Sequence, residues 1–211
     1  IEGYYKKLQN QVDYVDGASL LLNELLEADL LSGIGRAYGM EVYVKKNNGK
    51  LTGWVSYTLA RSERQVTGIN DGNWYPNRFD RKHNLYIVSQ YQLNQKWEFA
   101  ANFVFSTGTP ATFYTGQYSV QGYVVPDAGS NARNNVRNPT YHRLDLSATY
   151  TRKKTKEFES YWVFSCYNAY NRRNPFSIYF STNYKDLGQN AAIRYSVIGS
   201  IIPAVSYNFK F

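Results

Sequence analysis

Ile201-Ile202-Pro203-Ala204-Val205-Ser206-Tyr207-Asn208-Phe209-Lys210-Phe211 is the stretch whose reading decides the fold. Taken in alternation, Ile201, Pro203, Val205, Tyr207, Phe209 and Phe211 fall on one side, and Ile202, Ala204, Ser206, Asn208 and Lys210 on the other. Successive side chains of a strand point to opposite faces, so this strand has an apolar wall and a mostly polar one. An amphipathic strand of a soluble sandwich would alternate too, but it has no need to finish on Tyr207-x-Phe209-x-Phe211. A strand of a membrane barrel does: its outer wall sits in lipid and its aromatics settle at the interface. Tyr207, Phe209 and Phe211 are therefore read as a C-terminal barrel-assembly signal.

Working back from this strand, the same alternation recurs. The segment 97–106 sets Trp97, Phe99, Ala101, Phe103 and Phe105 against Glu98, Ala100, Asn102, Val104 and Ser106. In 141–150, His142, Leu144, Leu146, Ala148 and Tyr150 oppose Arg143, Asp145, Ser147 and Thr149. Segments 35–46, 51–62 and 80–93 alternate likewise, and 4–13 is a tyrosine-rich strand. Asn48-Gly49 predicts a tight hairpin, since such turns need positive φ angles. The segment 158–181 reads as one strand with a bulge at Asn171-Arg172-Arg173-Asn174-Pro175, because proline cannot donate to a ladder, and 182–190 connects it to the last strand. Segment 16–32 admits a short helix, with Ser19 as N-cap and Gly33 as stop; its second half reads better as strand.

This makes about eight antiparallel strands whose connections alternate between long and short, the last being intermediate. Outer-membrane barrels sort their connections in this way, with short periplasmic turns and long external loops. With a periplasmic C-terminus, 47–50, 94–96 and 152–157 are the periplasmic turns. The inward positions (Thr52, Ser56, Thr58, Ala100, Asn102, Ser106, Ser147, Thr149, Ala204, Ser206, Asn208) are mostly small and polar. They would fill a narrow barrel poorly and suit one wall of a wide lumen.

Bulk composition agrees. The 211 residues include 21 Tyr, 11 Phe and 4 Trp but a single Cys and a single Met. Mean hydropathy is −0.53 and no run of about 18 apolar residues occurs, which excludes a helical membrane protein but not a barrel. The formal charge of +8 is spread along the chain with no basic run, so nucleic acid is not an expected partner. Cys166 alone excludes an intrachain disulfide. No export signal is visible and Ile1-Glu2-Gly3-Tyr4-Tyr5-Lys6-Lys7 reads as the middle of a strand, so the expectation is a piece of a longer precursor.

Several stretches, in order, resemble the late barrel strands of TonB-dependent outer-membrane receptors of Bacteroidota. They are Gly35-Arg-Ala-Tyr-Gly-Met-Glu-Val-Tyr-Val-Lys-Lys46 with Gly49-Lys-Leu-Thr-Gly-Trp-Val-Ser-Tyr-Thr-Leu59, Ile69-Asn-Asp-Gly-Asn-Trp-Tyr-Pro76 with Asp80-Arg-Lys-His83, Asn168-Ala-Tyr-Asn-Arg-Arg-Asn-Pro175, and the Tyr-Asn-Phe-Lys-Phe211 ending. The resemblance implies an all-β, antiparallel transmembrane barrel of about 22 strands, of which residues 1–211 would be the last eight. It also implies a plug domain and a TonB box that lie outside this sequence, residence in the bacterial outer membrane, and energised uptake of a scarce nutrient. The nutrient classes are a ferric chelate, haem, cobalamin, an oligosaccharide or a peptide. Outer-membrane lipid, TonB and a surface lipoprotein are the partners to look for. A self-contained eight-stranded outer-membrane protein, channel or adhesin, is the alternative.

Residues with chemistry are few. His83 and His142 stand apart without metal-ligand spacing, and Gly33-x-Gly35-x-x-x-Gly39 misses the dinucleotide pattern. Asp71 in Asn70-Asp71-Gly72-Asn73 reads as a turn rather than a calcium site. No catalytic arrangement can be argued, so no enzyme and no cofactor are expected. Arg143 and Asp145 read as a structural ion pair on the inner wall. Trp74, Tyr75, Arg78, Arg133 and Arg137, aromatics and arginines on long external loops, are the candidate contacts for an anionic or ring-bearing ligand.

Overall fold

Alternation becomes pairing in eight strands: β1 (Glu2–Tyr14), β2 (Leu30–Lys46), β3 (Leu51–Val66), β4 (His83–Gln92), β5 (Trp97–Ser106), β6 (Tyr141–Lys154), β7 (Glu159–Tyr167) and β8 (Ile202–Lys210). The computed structural model describes residues 1–18, 23–113, 116–120, 123–126, 132–155, 157–182 and 190–211. The eight strands lie side by side in chain order, every neighbouring pair antiparallel, and the sheet is open, with no pairing between β1 and β8. The chain is thus all-β and antiparallel, and no closed barrel is formed by these strands alone.

Residues directly opposite each other in such a ladder share a face, so rows can be read across the sheet. One face carries Val42–Tyr57–Leu85–Phe105–His142 and Val44–Val55–Ile87–Phe103–Leu144. The same face carries Leu51–Tyr91–Phe99–Ala148–Phe164–Val205, and near the short turns Trp97–Tyr150–Trp162–Tyr207. The opposite face carries Gln90–Ala100–Ser147–Ser165–Ala204 and Gln92–Glu98–Thr149–Val163–Ser206. The two walls expected from the last strand therefore continue across the sheet.

Among the described residues nothing covers the apolar wall. Phe99, Phe164, Val205 and Phe209 are exposed, and among the described residues the only fully buried apolar side chains are Val66, Ile69 and Tyr75, a small cluster at the long-loop end against which Leu31 packs. The solvent-accessible surface is 14756 Å², against roughly 10,000 Å² for a compact monomer of this mass.

Connections sort by length more sharply than the sequence suggested. At one end lie 47–50, 93–96 and 155–158; at the other lie 15–29, 67–82, 107–140 and 168–201. The last is long because the bulge expected near Asn171 does not form. β7 ends at Tyr167, and Asn168 (φ 54°) turns the chain out of the sheet. Asn174 then takes the neighbouring place beside β6: its side-chain oxygen accepts from His142 N at 3.1 Å and its amide donates to His142 O at 2.9 Å. Ser177–Thr182 pairs with Asn190–Tyr195 in a separate two-stranded ladder rather than continuing β7.

Other expectations shift as well. The 107–140 connection contains short ladders, Pro110–Ala111 with Val136–Arg137 and Gln117–Val120 with Tyr123–Pro126. Leu26–Asp29 is a single 3₁₀ turn, so strand begins only at Leu30 and Gly33 lies inside it; Ser19 lies outside the described residues. At the first short turn Gly49 has φ 95°, but Asn48 does not share the positive φ that the tight hairpin required. Arg143 and Asp145 do pair, at 2.9 Å, on the polar wall, where Arg143 also donates to the hydroxyls of Tyr141 and Tyr167 at 2.9 and 2.7 Å.

Gly53 is one position where only glycine fits. Its φ of 145° lies outside the range of L-residues, and a Cβ there would run into the carbonyl of Val88 on β4. Gly53→Val is expected to cost at least about 2–3 kcal/mol, read as a lowered urea midpoint followed by tryptophan fluorescence. An unchanged midpoint would mean that β3 and β4 do not approach in this register.

Candidate functional site

The long-loop end carries the convergent polar groups. β3 runs on beyond its pairing with β4 as far as Val66, still paired with β2, and its free side there takes the two-residue strand Tyr75–Pro76 through Arg64 and Tyr75. Alternation then sends Tyr75 and Arg64 to the polar-wall side, and Trp74 and Glu63 to the apolar-wall side. Tyr75 is 1% exposed and donates its hydroxyl to Asp13 Oδ2 at 2.8 Å.

Asp13, at the end of β1, is the meeting point. Arg133 comes from the distant 107–140 connection and reaches Asp13 Oδ1 at 3.0 Å, Asp16 Oδ1 at 2.6 Å and the Tyr14 carbonyl at 2.8 Å. Arg64 Nη1 donates to Val12 O at 3.0 Å and lies 3.9 Å from Asp13 Oδ2, while its buried Nε has no partner among the described residues. Asn134 fixes the same connection to the Tyr75–Pro76 strand by donating to Pro76 O at 2.7 Å. Together these residues, with Arg78, Phe79 and Asn77, line a cleft of about 420 Å³.

Burial works against the Arg133 charge, but the carboxylates of Asp16 and Asp13 outweigh it and hold the guanidinium above its ordinary value. Burial, followed by the bond to Asp13, pushes the Tyr75 phenol well above its ordinary value.

The five loop residues predicted as ligand contacts do not form one cluster. Tyr75, Arg78 and Arg133 meet at the cleft, although Tyr75 and Arg133 are committed to Asp13 and Asp16. Trp74 lies on the other side of the sheet, with the guanidinium of Arg36 at 4.2 Å from its ring. Arg137 is bound to Asp80, a carboxylate 2% exposed, which also accepts from Ser62 N at 2.6 Å; Arg137 Nη1 reaches Gly108 O at 3.2 Å. Arg78 is exposed and lies over the ring of Phe79 at 5.9 Å; Phe79 is itself 77% exposed. This pair is the uncommitted chemistry of the cleft rim, and it offers a cation and an apolar ring side by side.

Asp13, Asp16, Arg64 and Phe79 were not singled out by sequence. The partners of Asp13, Asp16 and Arg64 are tens of residues away, and only the loop-end location of Asp13 and Asp16 was readable. Tyr207 stacks against Trp162 at 4.8 Å, and Phe209 and Phe211 lie 5.6 Å apart at the short-turn end. His83 and His142 each face a tyrosine hydroxyl, from Tyr57 at 2.8 Å and Tyr170 at 2.7 Å. Asp71 sits in a turn with φ 53°, and among the described residues no group of three or more His, Cys, Asp or Glu could hold a metal ion. Among the described residues no helix is long and apolar enough to cross a membrane. Compared with family models, curated proteins and solved structures, the chain matches none.

Arg133→Gln removes the guanidinium from Asp16 and leaves Asp13 with the Tyr75 hydroxyl and the more distant Arg64, and should loosen the 107–140 connection by roughly 2 kcal/mol. Limited proteolysis within that connection would accelerate while the sheet melts as before; an unchanged cleavage rate would refute the clamp. The Tyr75 hydroxyl predicts a pH dependence of its own. Its folded pKa lies above the unfolded value of 10.0, so the folded state holds the proton longer, and its contribution is complete below that pH and lost as pH rises beyond it. Stability should therefore fall more steeply above pH 10 in the parent protein than in Tyr75→Phe, by urea unfolding at a series of pH values.

Proposed function

We propose that this chain is a wall segment of an outer-membrane β-barrel, and that the barrel belongs to a TonB-dependent receptor for energised uptake of a scarce nutrient. The observation that carries the barrel reading is the uncovered apolar wall. On β5 it runs for nine residues from Trp97 to Phe105, within the roughly 9–11 residues that a tilted strand needs to cross a bilayer. At its short-turn end it is bounded by the aromatic row Trp97–Tyr150–Trp162–Tyr207, and at the other by Tyr57, His83, Phe105, His142 and Tyr170. Rings with a polar edge suit both interfaces of a bilayer. In water this wall would stay unburied, and the sheet would have no core to hold it.

The wide barrel is favoured over a self-contained eight-stranded one by the open edges of β1 and β8 and by the small inward rows. Further strands would pair with those edges, and the plug and TonB-coupling segment that the resemblance implies would belong to the same longer polypeptide. On this reading the cleft at Asp13, Tyr75, Arg78 and Arg133 faces outward, where an incoming ligand first meets the receptor; the sorting of the connections by length supports that orientation.

The test uses the full reading frame in outer-membrane vesicles, with Cys166 first changed to Ser. Single cysteines at Phe99, Phe103 and Leu144 should react with a lipid-soluble maleimide and resist a charged one, while cysteines at Ala100, Asn102 and Ser147 should react with the charged reagent. Equal reactivity of the two sets would end the membrane reading. A cysteine pair at Tyr4 and Ser206 that cross-links readily would mean that the eight strands close on themselves, and the alternative would replace the receptor. Uptake tested with a ferric chelate, haem, cobalamin, an oligosaccharide and a peptide in turn should stop on adding a protonophore; uptake that persists would point to a passive channel.

A further inference from the structure

We propose, resting on the membrane reading above, that Lys7, Arg36 and Arg61 form an outward-facing site for the phosphate of a lipid headgroup in the external leaflet. The register sets these side chains on the apolar wall's own face. Tyr5 lies opposite Tyr38, and Tyr38 opposite Arg61; one same-face step further, Lys7 lies opposite Arg36, and Arg36 opposite Glu63. A same-face step is about 7 Å along a strand, so the cations begin directly beyond Met40 and Leu59, where hydrocarbon gives way to headgroups.

The two arginines are held in place. Glu63 is 3% exposed; its Oε2 takes Nε and Nη2 of Arg36 at 2.7 and 2.6 Å, and its Oε1 takes Nε and Nη2 of Arg61, both at 2.7 Å. Arg36 is further fixed beneath the ring of Trp74 at 4.2 Å. Each guanidinium keeps its Nη1 without a partner among the described residues, and the side chains are 33% and 49% exposed. Lys7 is exposed and has no ion-pair partner among the described residues. Three cations around one buried carboxylate leave an excess of positive charge, and two preoriented guanidiniums suit the oxygens of a phosphate.

The site is separate from the cleft. Glu63 and Trp74 point to one side of the sheet, Arg64 and Tyr75 to the other, so a nutrient entering the lumen does not meet the cluster. Stacked Tyr5 and Tyr38, with ring centroids 6.1 Å apart, lie beneath it and offer an apolar seat for the first carbons of an acyl chain. A phosphorylated lipid combines these two chemistries in one molecule, and free phosphate has only the first.

The experiment places the full-length protein in phosphatidylcholine discs with a minor fraction of phosphatidic acid and counts retained lipids by native mass spectrometry. Retained phosphatidic acid should exceed its share of the disc lipid. Lys7→Gln, which leaves both Glu63 pairs intact, should lower that preference roughly fivefold. The triple variant R36Q/E63Q/R61Q, which leaves no buried carboxylate unpaired, should abolish it. Protein embedded in the disc without preference, or with the same preference in both variants, overturns the site and leaves the barrel standing. Protein that does not enter discs overturns the barrel reading and the site with it. Displacement of the bound lipid by inorganic phosphate alone overturns the headgroup assignment, because the seat for the chain would then contribute nothing.

Discussion

The antiparallel register of eight strands is the constraint on which the rest depends. A slip of one residue in any pair would exchange every side chain of that strand between the two walls. It would bring Glu98 and Thr149 into the row of Phe99 and Ala148, and send tryptophan and tyrosine to the polar side. The rows stay in phase from Val42 on β2 to Val205 on β8. The irregularities lie away from them, at Leu8–Gln11 on β1 and Thr151–Lys153 on β6. Bulges at the ends of strands can bend or terminate pairing without disturbing the faces in between.

Beyond the sheet, order comes from a few buried polar groups rather than from apolar packing. Asp80, Glu63, Asn168 and Asn174 are all buried, and each serves several donors or acceptors. Asn168 accepts from Arg172 N at 3.0 Å and donates to Arg172 O and Ser200 O. Its own N–H goes to Asp145, at 2.9 Å. Such residues fix long connections at an end where, among the described residues, only Val66, Ile69 and Tyr75 make a small core. Removing one partner from any of these clusters leaves others unsatisfied, so their effects would not be additive.

Most of the sheet was legible because period-two alternation is a local property of the chain. The strand at 97–106 and the last strand were bounded to within a residue or two. What failed was non-local. Nothing near Asn171 says that Asn174 will satisfy the edge of β6 at His142, so the chain after Tyr167 looked like more of the same strand. The hairpin turn at 47–50 forms where it was expected, although of the Asn48-Gly49 pair only Gly49 takes a positive φ. The candidate ligand residues show the same limit more strongly. Their type and loop location were readable, but Trp74 and Tyr75, adjacent in sequence, face opposite sides of the sheet. Arg133 reaches back more than a hundred residues to Asp13 and Asp16. Residue type announces that an arginine will find an anion and leaves open which anion it finds.

The width of the barrel follows from the polar wall more than from strand number. A closed eight-stranded barrel fills its interior with side chains, and such a filling needs bulk at each level. Here the row across the last five strands is Gln90–Ala100–Ser147–Ser165–Ala204, which would leave a void along the axis of a narrow barrel. Bulk stands to either side of that level, at Tyr161 near the short turns and, toward the long-loop end, at Trp54, Tyr43, Tyr86, Val104 and Arg143. A wall that is smooth and polar through its middle and furnished to either side suits a wide lumen occupied by water or by another domain. An axis packed by the wall itself would require the reverse distribution, with its largest side chains at mid-height.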